Sequence, residues 1–386
     1  MTTVLVSAGD ASGDLHAGAL MQALRQRVPD LRVIGIGGAE LEKAGAELTV
    51  HQRELAIGGL VEVLASLRRI VGAWRRLSRA LVGERPDLVV LVDSPDFNIP
   101  FARRVRRRGI PILYYVSPQV WAWRRWRIGK IARRVDRMAV IFPFEPDVYA
   151  GTSLPVDFVG HPLVERLSPC SAADRAAARG ALGLDAERPL VLLLPGSRRN
   201  ELRYNLPLYV DVARKLHARD PRLAFVLALA PTLDCAEVQA RLAEVGLPAL
   251  LRLDVIQGHT HAAMRAADVA LAMPGTATVE LALLGTPTAV VGVANPVSVF
   301  VARRLGSVSQ YAMPNLIAGR PVMPEFVQED ADPERIAEAV RALLGGVARD
   351  AQQADLREVR RLLGEGGAAG RASAIAAEMI DGSVGA

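Results

Sequence analysis

Val4-Leu5-Val6-Ser7-Ala8-Gly9-Asp10-Ala11-Ser12-Gly13-Asp14 is a short apolar run, a glycine turn and the start of a helix. A run of this length with β-branched residues and a glycine boundary reads as a buried strand. The small residues of the turn let backbone N–H groups and a helix N-terminus approach a ligand, with Ser12 or Asp14 available as cap. The unit recurs. Further strands are expected at residues 31–36, 88–92, 112–116, 138–141 and 156–159, with helices over 14–27, 60–81 and 97–107. Alternation restarts with strands at 190–194, 223–228, 249–253, 269–272 and 288–291, followed by a strand-free helical end from Pro333 to about residue 380. Strand and helix in alternation predict an α/β fold with two Rossmann-like, doubly wound, mainly parallel sheets. A chain of 386 residues also exceeds one ordinary core. The stretch Ser168-Pro169-Cys170-Ser171 reads as the linker, which gives domains 1–165 and 173–348 and C-terminal helices over 349–386.

Net charge is +6, and the excess is almost all arginine, lysine occurring only at Lys43, Lys130 and Lys215. Such a balance suits an anionic partner: nucleic acid, a phosphorylated metabolite or an anionic lipid surface. Cys170 and Cys235 form no metal-ligand spacing and point to a reducing, cytoplasmic compartment. No signal peptide is evident, and no apolar run reaches the ~18 residues of a spanning helix.

Four stretches carry chemistry. Asp93-Ser94-Pro95-Asp96-Phe97-Asn98 follows the apolar Leu88–Val92, so Asp93 falls at the carboxyl tip of a strand. Partial burial there raises a carboxyl pKa and makes Asp93 the candidate general base; Asp96 and Asn98 read more readily as cap and turn groups. Around Asp10 and Ser12, two aspartates would repel a phosphate, so hydroxyl recognition on a sugar competes with a plain helix cap. In the second half, Leu194-Pro195-Gly196-Ser197-Arg198 and Pro274-Gly275-Thr276-Ala277-Thr278-Val279-Glu280 each end a strand and open a helix. Backbone donors with the Arg198 guanidinium suit a diphosphate, Gly275 and Thr276 suit phosphate contacts, and Glu280 suits ribose hydroxyls. The fourth, Ser117-Pro118-Gln119-Val120-Trp121-Ala122-Trp123-Arg124-Arg125-Trp126-Arg127, interleaves aromatic rings with guanidinium groups after the 112–116 strand. It suits a large, anionic and partly apolar ligand, or else a Trp-rich packing loop. The expected helix at 60–81, with Arg68, Arg69, Trp74, Arg75 and Arg76, reads equally as a membrane-surface helix or as an ordinary amphipathic helix on its sheet.

Together with Gly35-Ile36-Gly37-Gly38, Glu54-Leu55-Ala56, Val61-Glu62-Val63-Leu64, Phe142-Pro143-Phe144-Glu145, Phe158-Val159-Gly160-His161-Pro162-Leu163 and Pro314-Asn315-Leu316-Ile317-Ala318-Gly319, these motifs resemble, in order and over nearly the whole chain, the lipid-A-disaccharide synthases. The chain departs from that family's pattern at Asp10, where Glu is common, and at Pro274, where Ser is usual and whose hydroxyl and backbone donor are lost. Residues 291–301 also lack the usual aromatic and basic character.

The resemblance implies a GT-B fold, two domains facing a cleft, and an inverting, metal-independent glycosyl transfer without cofactor. A UDP-linked 2,3-diacylglucosamine donates its sugar to 2,3-diacylglucosamine 1-phosphate, giving a β(1→6) disaccharide 1-phosphate and UDP. It implies Asp93 as base, Arg198 as diphosphate clamp, and substrate or nucleotide contacts from Asp10, Ser12, Ser117, Gly196, Ser197, Gly275, Thr276 and Glu280, with Asn315, Glu325 and Gln328 completing the site. Arg68, Arg69, Trp74, Trp121 and Trp123 become lipid-facing, at the inner face of the inner membrane. The C-terminal part is exchanged between subunits in this family, which allows a swapped homodimer. The rivals are another GT-B enzyme acting on UDP-N-acetylglucosamine (a 2-epimerase or glucosaminyltransferase) and a nucleic-acid-binding protein. Basic residues spread over both halves and carboxylates at the strand tips argue against nucleic acid.

Overall fold

The structure is a computed structural model and describes residues 1–55, 63–122, 124–246, 251–295 and 310–384. Two units form, one from Met1–Pro162 with Leu363–Ala386, the other from Leu163–Leu362.

In the first unit a seven-stranded sheet comprises β1 (Thr2–Ala8), β2 (Leu31–Gly37), β3 (Glu47–His51), β4 (Leu88–Val92), β5 (Ile112–Tyr115), β6 (Arg137–Val140) and β7 (Val156–Phe158). All pairings are parallel, in the order β3-β2-β1-β4-β5-β6-β7. Strand β4 is fully buried because helices cover both faces of the sheet, which is why its sequence is continuously apolar and not alternating. The chain builds outward from β1 to β3, then returns to place β4 on the other side of β1. A doubly wound sheet opens a crevice at such a reversal, beyond the carboxyl ends of its strands. Here those ends are Gly9-Asp10 and Asp93-Ser94, with Ala8 in register with Val92.

The second unit repeats the plan with β8 (Leu190–Leu194), β9 (Ala224–Leu229), β10 (Leu253–Gln257), β11 (Val269–Ala272), β12 (Thr288–Gly292) and β13 (Glu325–Val327), ordered β10-β9-β8-β11-β12-β13. Its reversal lies between β8 and β11, so Pro195-Gly196 and Pro274-Gly275 flank the second crevice.

Two edge strands depart from the sequence expectation. β3, Glu47-Leu48-Thr49-Val50-His51, is too polar to signal a strand, and β13 has only three residues. The strand expected at 249–253 pairs instead over Leu253–Gln257: Leu251 is drawn into the core, while the ladder to β9 starts at Leu253 opposite Phe225.

The chain also crosses back later than residue 349. Helix Val347–Leu362 stays with the second unit, where buried Gln352 bonds both the N–H and the C=O of Thr288 at 2.8 and 3.0 Å. Helix Ala368–Val384 then packs on helix Ala11–Arg25 of the same chain. Arg27 Nε donates to Ser373 Oγ at 3.0 Å, and Arg137 pairs with Glu378 at 2.6 Å. Among the described residues, no helix is long and apolar enough to cross a membrane.

Candidate active site

Asp93 and Ser94, directly after β4, both have φ of 42°. Two consecutive non-glycine residues in the left-handed region are held only where their surroundings compel it. The constraint here is Asn98, fully buried on helix Pro95–Arg106. Its amide donates to the carbonyls of Val92 at 3.0 Å and Asp93 at 2.9 Å, and its Oδ1 accepts from Ser7 Oγ at 2.7 Å. Tyr114 donates a second hydrogen bond to the Asp93 carbonyl at 2.5 Å. The backbone of the candidate base is therefore clamped from β1, β5 and the following helix. Asn98 is a buried clamp and not a cap or turn group, while Asp96 is exposed and pairs with Arg124 and Arg127 at 3.2 and 2.5 Å. The Asp93 carboxyl is raised to about 6, mainly by burial, next by the nearby Asp10 carboxylate, with the Ser94 N–H opposing. It is thus mostly ionised at neutral pH, yet more basic than an exposed aspartate.

Gly9 makes the meeting of the two loops possible, since a Cβ there would lie 2.7 Å from Ser94 Oγ. Asp10 is the N-cap of helix Ala11–Arg25, accepting from Gly13 N–H at 2.7 Å. Asp14 does not cap that helix. It is buried and accepts the Gly38, Glu40 and Leu41 N–H groups at 2.7, 3.0 and 3.2 Å, closing the start of helix Ala39–Lys43. Ser12 is exposed, with its hydroxyl 3.4 Å from His16 Nε2.

The aromatic loop corrects several expectations. Ser117 is buried, its hydroxyl 3.0 Å from Tyr149 Oη and bonded to the Pro118 carbonyl, so it belongs to the wall and not to an open contact surface. Trp121 is buried edge-on against Phe144, ring centroids 5.1 Å apart, because the loop folds its apolar side inward over the sheet. Trp126 is the exposed ring, 59% accessible, with Lys130 Nζ 4.2 Å from its centroid. Trp123 lies outside the described residues. Trp74 likewise turns inward, meeting Phe97 and Phe101 at 5.4 and 5.6 Å, beside the buried Ala73, Leu77 and Leu81 of helix Val63–Glu84. Arg68, Arg69 and Arg75 are exposed on that helix, whereas Arg76 is engaged by Glu54 at 2.5 Å.

Sequence reading gave Glu145 no role. It is wholly buried, accepts the Phe142 N–H at 3.0 Å, and is pushed up to about 8, chiefly by burial and in small part by Asp93. Its burial follows from the apolar Phe142-Pro143-Phe144 that precedes it in sequence. Folding thus favours the protonated carboxyl. Between about pH 4.5 and 8 the unfolded chain loses this proton and the folded one keeps it, so its contribution to stability is present in acid and is lost as pH rises. Glu145→Gln is expected to melt above the wild type at pH 8, with the gap narrowing towards pH 5. Superimposed melts at pH 8 would show that the carboxyl is not held protonated.

In the second unit Gly196 has φ of 128°, and Ser197 and Arg198 lead into helix Arg199–Arg219. Ser197, Arg198, Gly275 and Thr276 are exposed at the carboxyl ends of β8 and β11. Arg198 pairs with Glu201 at 2.7 Å while its side chain stays 79% accessible. Glu280 lies 3.5 Å from His261 and raises the pKa of that imidazole. Asn315 and Glu325 come together, but mainly to hold backbone. Asn315 is buried, donates to Glu325 at 2.8 Å and accepts the Val322 and Met323 N–H groups, while Glu325 accepts those of Tyr311 and Ala312. Gln328, at φ 58°, accepts the Ala294 N–H on its side-chain Oε1 at 3.5 Å. Asn205, unmarked in the sequence reading, ties the chain after β12 to helix Arg199–Arg219 by bonding both backbone groups of Val293. Among the described residues no group of three or more His, Cys, Asp or Glu side chains could hold a metal ion.

Solved structures with this architecture include the glycosyltransferase of kitacinnamycin (TM-score 0.62, 18% identity, 98% of each chain). A UDP-N-acetylglucosamine 2-epimerase from Neisseria meningitidis bound to UDP-GlcNAc shares it too (TM-score 0.58, 12% identity, 99% of this chain and 100% of that one). At such identities the likeness establishes the two-sheet GT-B fold alone. Sequence relatives go further. The chain is 44% identical over 366 residues to the lipid-A-disaccharide synthase of Anaeromyxobacter dehalogenans strain 2CP-1, covering 95% of this chain and 94% of the relative. It is 41% identical over 379 residues to that of Myxococcus xanthus, covering 98% and 97%. With the lipid-A-disaccharide synthetase family model matching residues 4–379 as well, the chain belongs to the lipid-A-disaccharide synthase family.

Proposed function

We propose that this chain carries out the transfer its family is named for, moving 2,3-diacylglucosamine from a UDP conjugate onto 2,3-diacylglucosamine 1-phosphate. Asp93 accepts the proton of the acceptor's 6-hydroxyl as that oxygen attacks the anomeric carbon, the bond to the UDP oxygen breaks, and configuration inverts. The departing diphosphate gains negative charge, which Arg198 and the N–H groups at the start of helix Arg199–Arg219 offset. Gly275 and Thr276 contact phosphate and Glu280 the ribose. Asn315 and Glu325 act on the site through the backbone they hold.

The observation that carries this reading is the chemistry at the two sheet reversals: a clamped carboxyl raised to about 6 at one, and a glycine-arginine turn opening a helix at the other. Family membership supplies the substrates and sets the 2-epimerase alternative aside. Incubation of purified protein with both lipid substrates should yield UDP and the disaccharide 1-phosphate by mass spectrometry. Unchanged substrates would overturn the reading.

Acylated substrates support work at an anionic membrane surface, on its cytoplasmic side. The exposed Arg68, Arg69 and Arg75, and Trp126 with Lys130, supply basic and aromatic contacts. Each arginine near an anionic leaflet contributes about 1 kcal/mol, an attraction that salt screens. Neutralising Arg68, Arg69 and Arg75 together should reduce sedimentation with anionic liposomes at low salt while sparing turnover in detergent micelles. Wild-type sedimentation by the triple variant would assign that helix to packing alone.

A further inference from the structure

A carboxylate of the chain itself sits in the glycine-arginine turn after β8. Glu201, in the first turn of helix Arg199–Arg219, folds back so that Oε2 accepts the Ser197 N–H at 2.8 Å and the Arg198 N–H at 3.2 Å. Its Oε1 accepts from Arg198 Nη1 at 2.7 Å. Gly196 provides the room, since a Cβ there would lie 2.5 Å from Glu201 Cβ and 2.9 Å from Oε2. Two neighbouring N–H donors and a guanidinium around two oxygens of one anion are the donor set that a phosphoryl group takes. A helix-capping glutamate needs only the backbone donors. This one, with its own side chain 19% accessible, also takes the guanidinium of Arg198, whose side chain is 79% accessible, so that the ion pair reaches solvent and is weak and easily exchanged.

We infer that Glu201 is an internal competitor for the leaving diphosphate, its carboxylate and the diphosphate occupying the Ser197 and Arg198 donors in alternation. The inference rests on the reading of this turn as the diphosphate site and adds what sets its affinity. Release of UDP becomes an exchange of anions, in which the donors pass from diphosphate to carboxylate and are never left bare. Glu201 thereby holds UDP affinity below what the donors alone would give, favouring turnover over product retention.

Calorimetric titration of UDP into the wild type, Glu201→Gln and Arg198→Ala, each checked by circular dichroism melts, tests this. The glutamine keeps an oxygen acceptor for the cap but loses the charge, so UDP should bind about three- to tenfold more tightly, the scale of an exposed ion pair plus a helix-terminus charge. Its inhibition constant as product should fall by the same factor. Should Glu201→Gln not fold, Glu201→Ala gives the same comparison. UDP affinity unchanged or weakened in the folded Glu201 variant, with Arg198→Ala weakening UDP, would make Glu201 a structural cap and overturn the inference alone. Unchanged UDP affinity in Arg198→Ala would move the diphosphate elsewhere and overturn both.

Discussion

Asp93→Asn lowers turnover by about 10²–10⁴ while leaving UDP affinity intact, because only acceptor deprotonation is lost. The fold should not suffer. The native carboxyl is raised above its ordinary 3.8 to about 6, so folding disfavours its ionised form and the stability it contributes in acid is lost as pH rises through about 6. An asparagine carries no such loss, and the variant should melt at or above the wild-type temperature at pH 7.5. The same shift sets the pH profile: wild-type kcat/KM should fall about tenfold per unit below pH 6. Asp10→Asn separates the causes. Asparagine caps a helix as well as aspartate does, but it removes the neighbouring charge that helps raise Asp93, so the acid limb should move to lower pH and stay above 3.8. Wild-type turnover in Asp93→Asn would remove Asp93 from the role.

Arg198→Ala is expected to weaken UDP binding by about 1.5–3 kcal/mol, the scale of hydrogen bonds to a charged group. Turnover should fall further than binding, since charge on the leaving oxygen grows towards the transition state and the guanidinium meets it there. Removing the pair with Glu201 costs the folded state little, because the Arg198 side chain is 79% accessible and Glu201 keeps its backbone N–H donors. Calorimetry with UDP and single-turnover kinetics separate the two effects. Chelator should leave wild-type activity unchanged if arginine and helix terminus supply the charge.

The two sheets were legible from sequence because their central strands are unbroken apolar runs, β4 and β8 being buried throughout. The edge strands β3 and β13 were not, since β3 is only partly buried and needs less apolar character and β13 has only three residues. The same logic divides the site. Asp93, Gly196, Arg198 and Gly275 stand at strand ends, where position alone suggests chemistry, and the structure places them at the two reversals. Ser117, Trp121 and Trp74 misled because composition does not say which way a ring or hydroxyl turns; each proved to face inward. Asn98, Asn205 and Glu145 carry their weight through burial and backbone bonds, which no spacing in the sequence reveals.

The route of the chain through its two units has a consequence for synthesis. The second unit, Leu163–Leu362, is complete when Leu362 leaves the ribosome, but the first still lacks helix Ala368–Val384, which covers helix Ala11–Arg25. Chains are usually finished N-terminal unit first; here the N-terminal unit is finished last. Until helix Ala368–Val384 emerges, the nascent protein leaves the face of its first helix uncovered. A stop codon or frameshift near residue 365 would therefore spare the C-terminal unit and cripple the N-terminal one, whose strands all lie upstream of that unit in sequence.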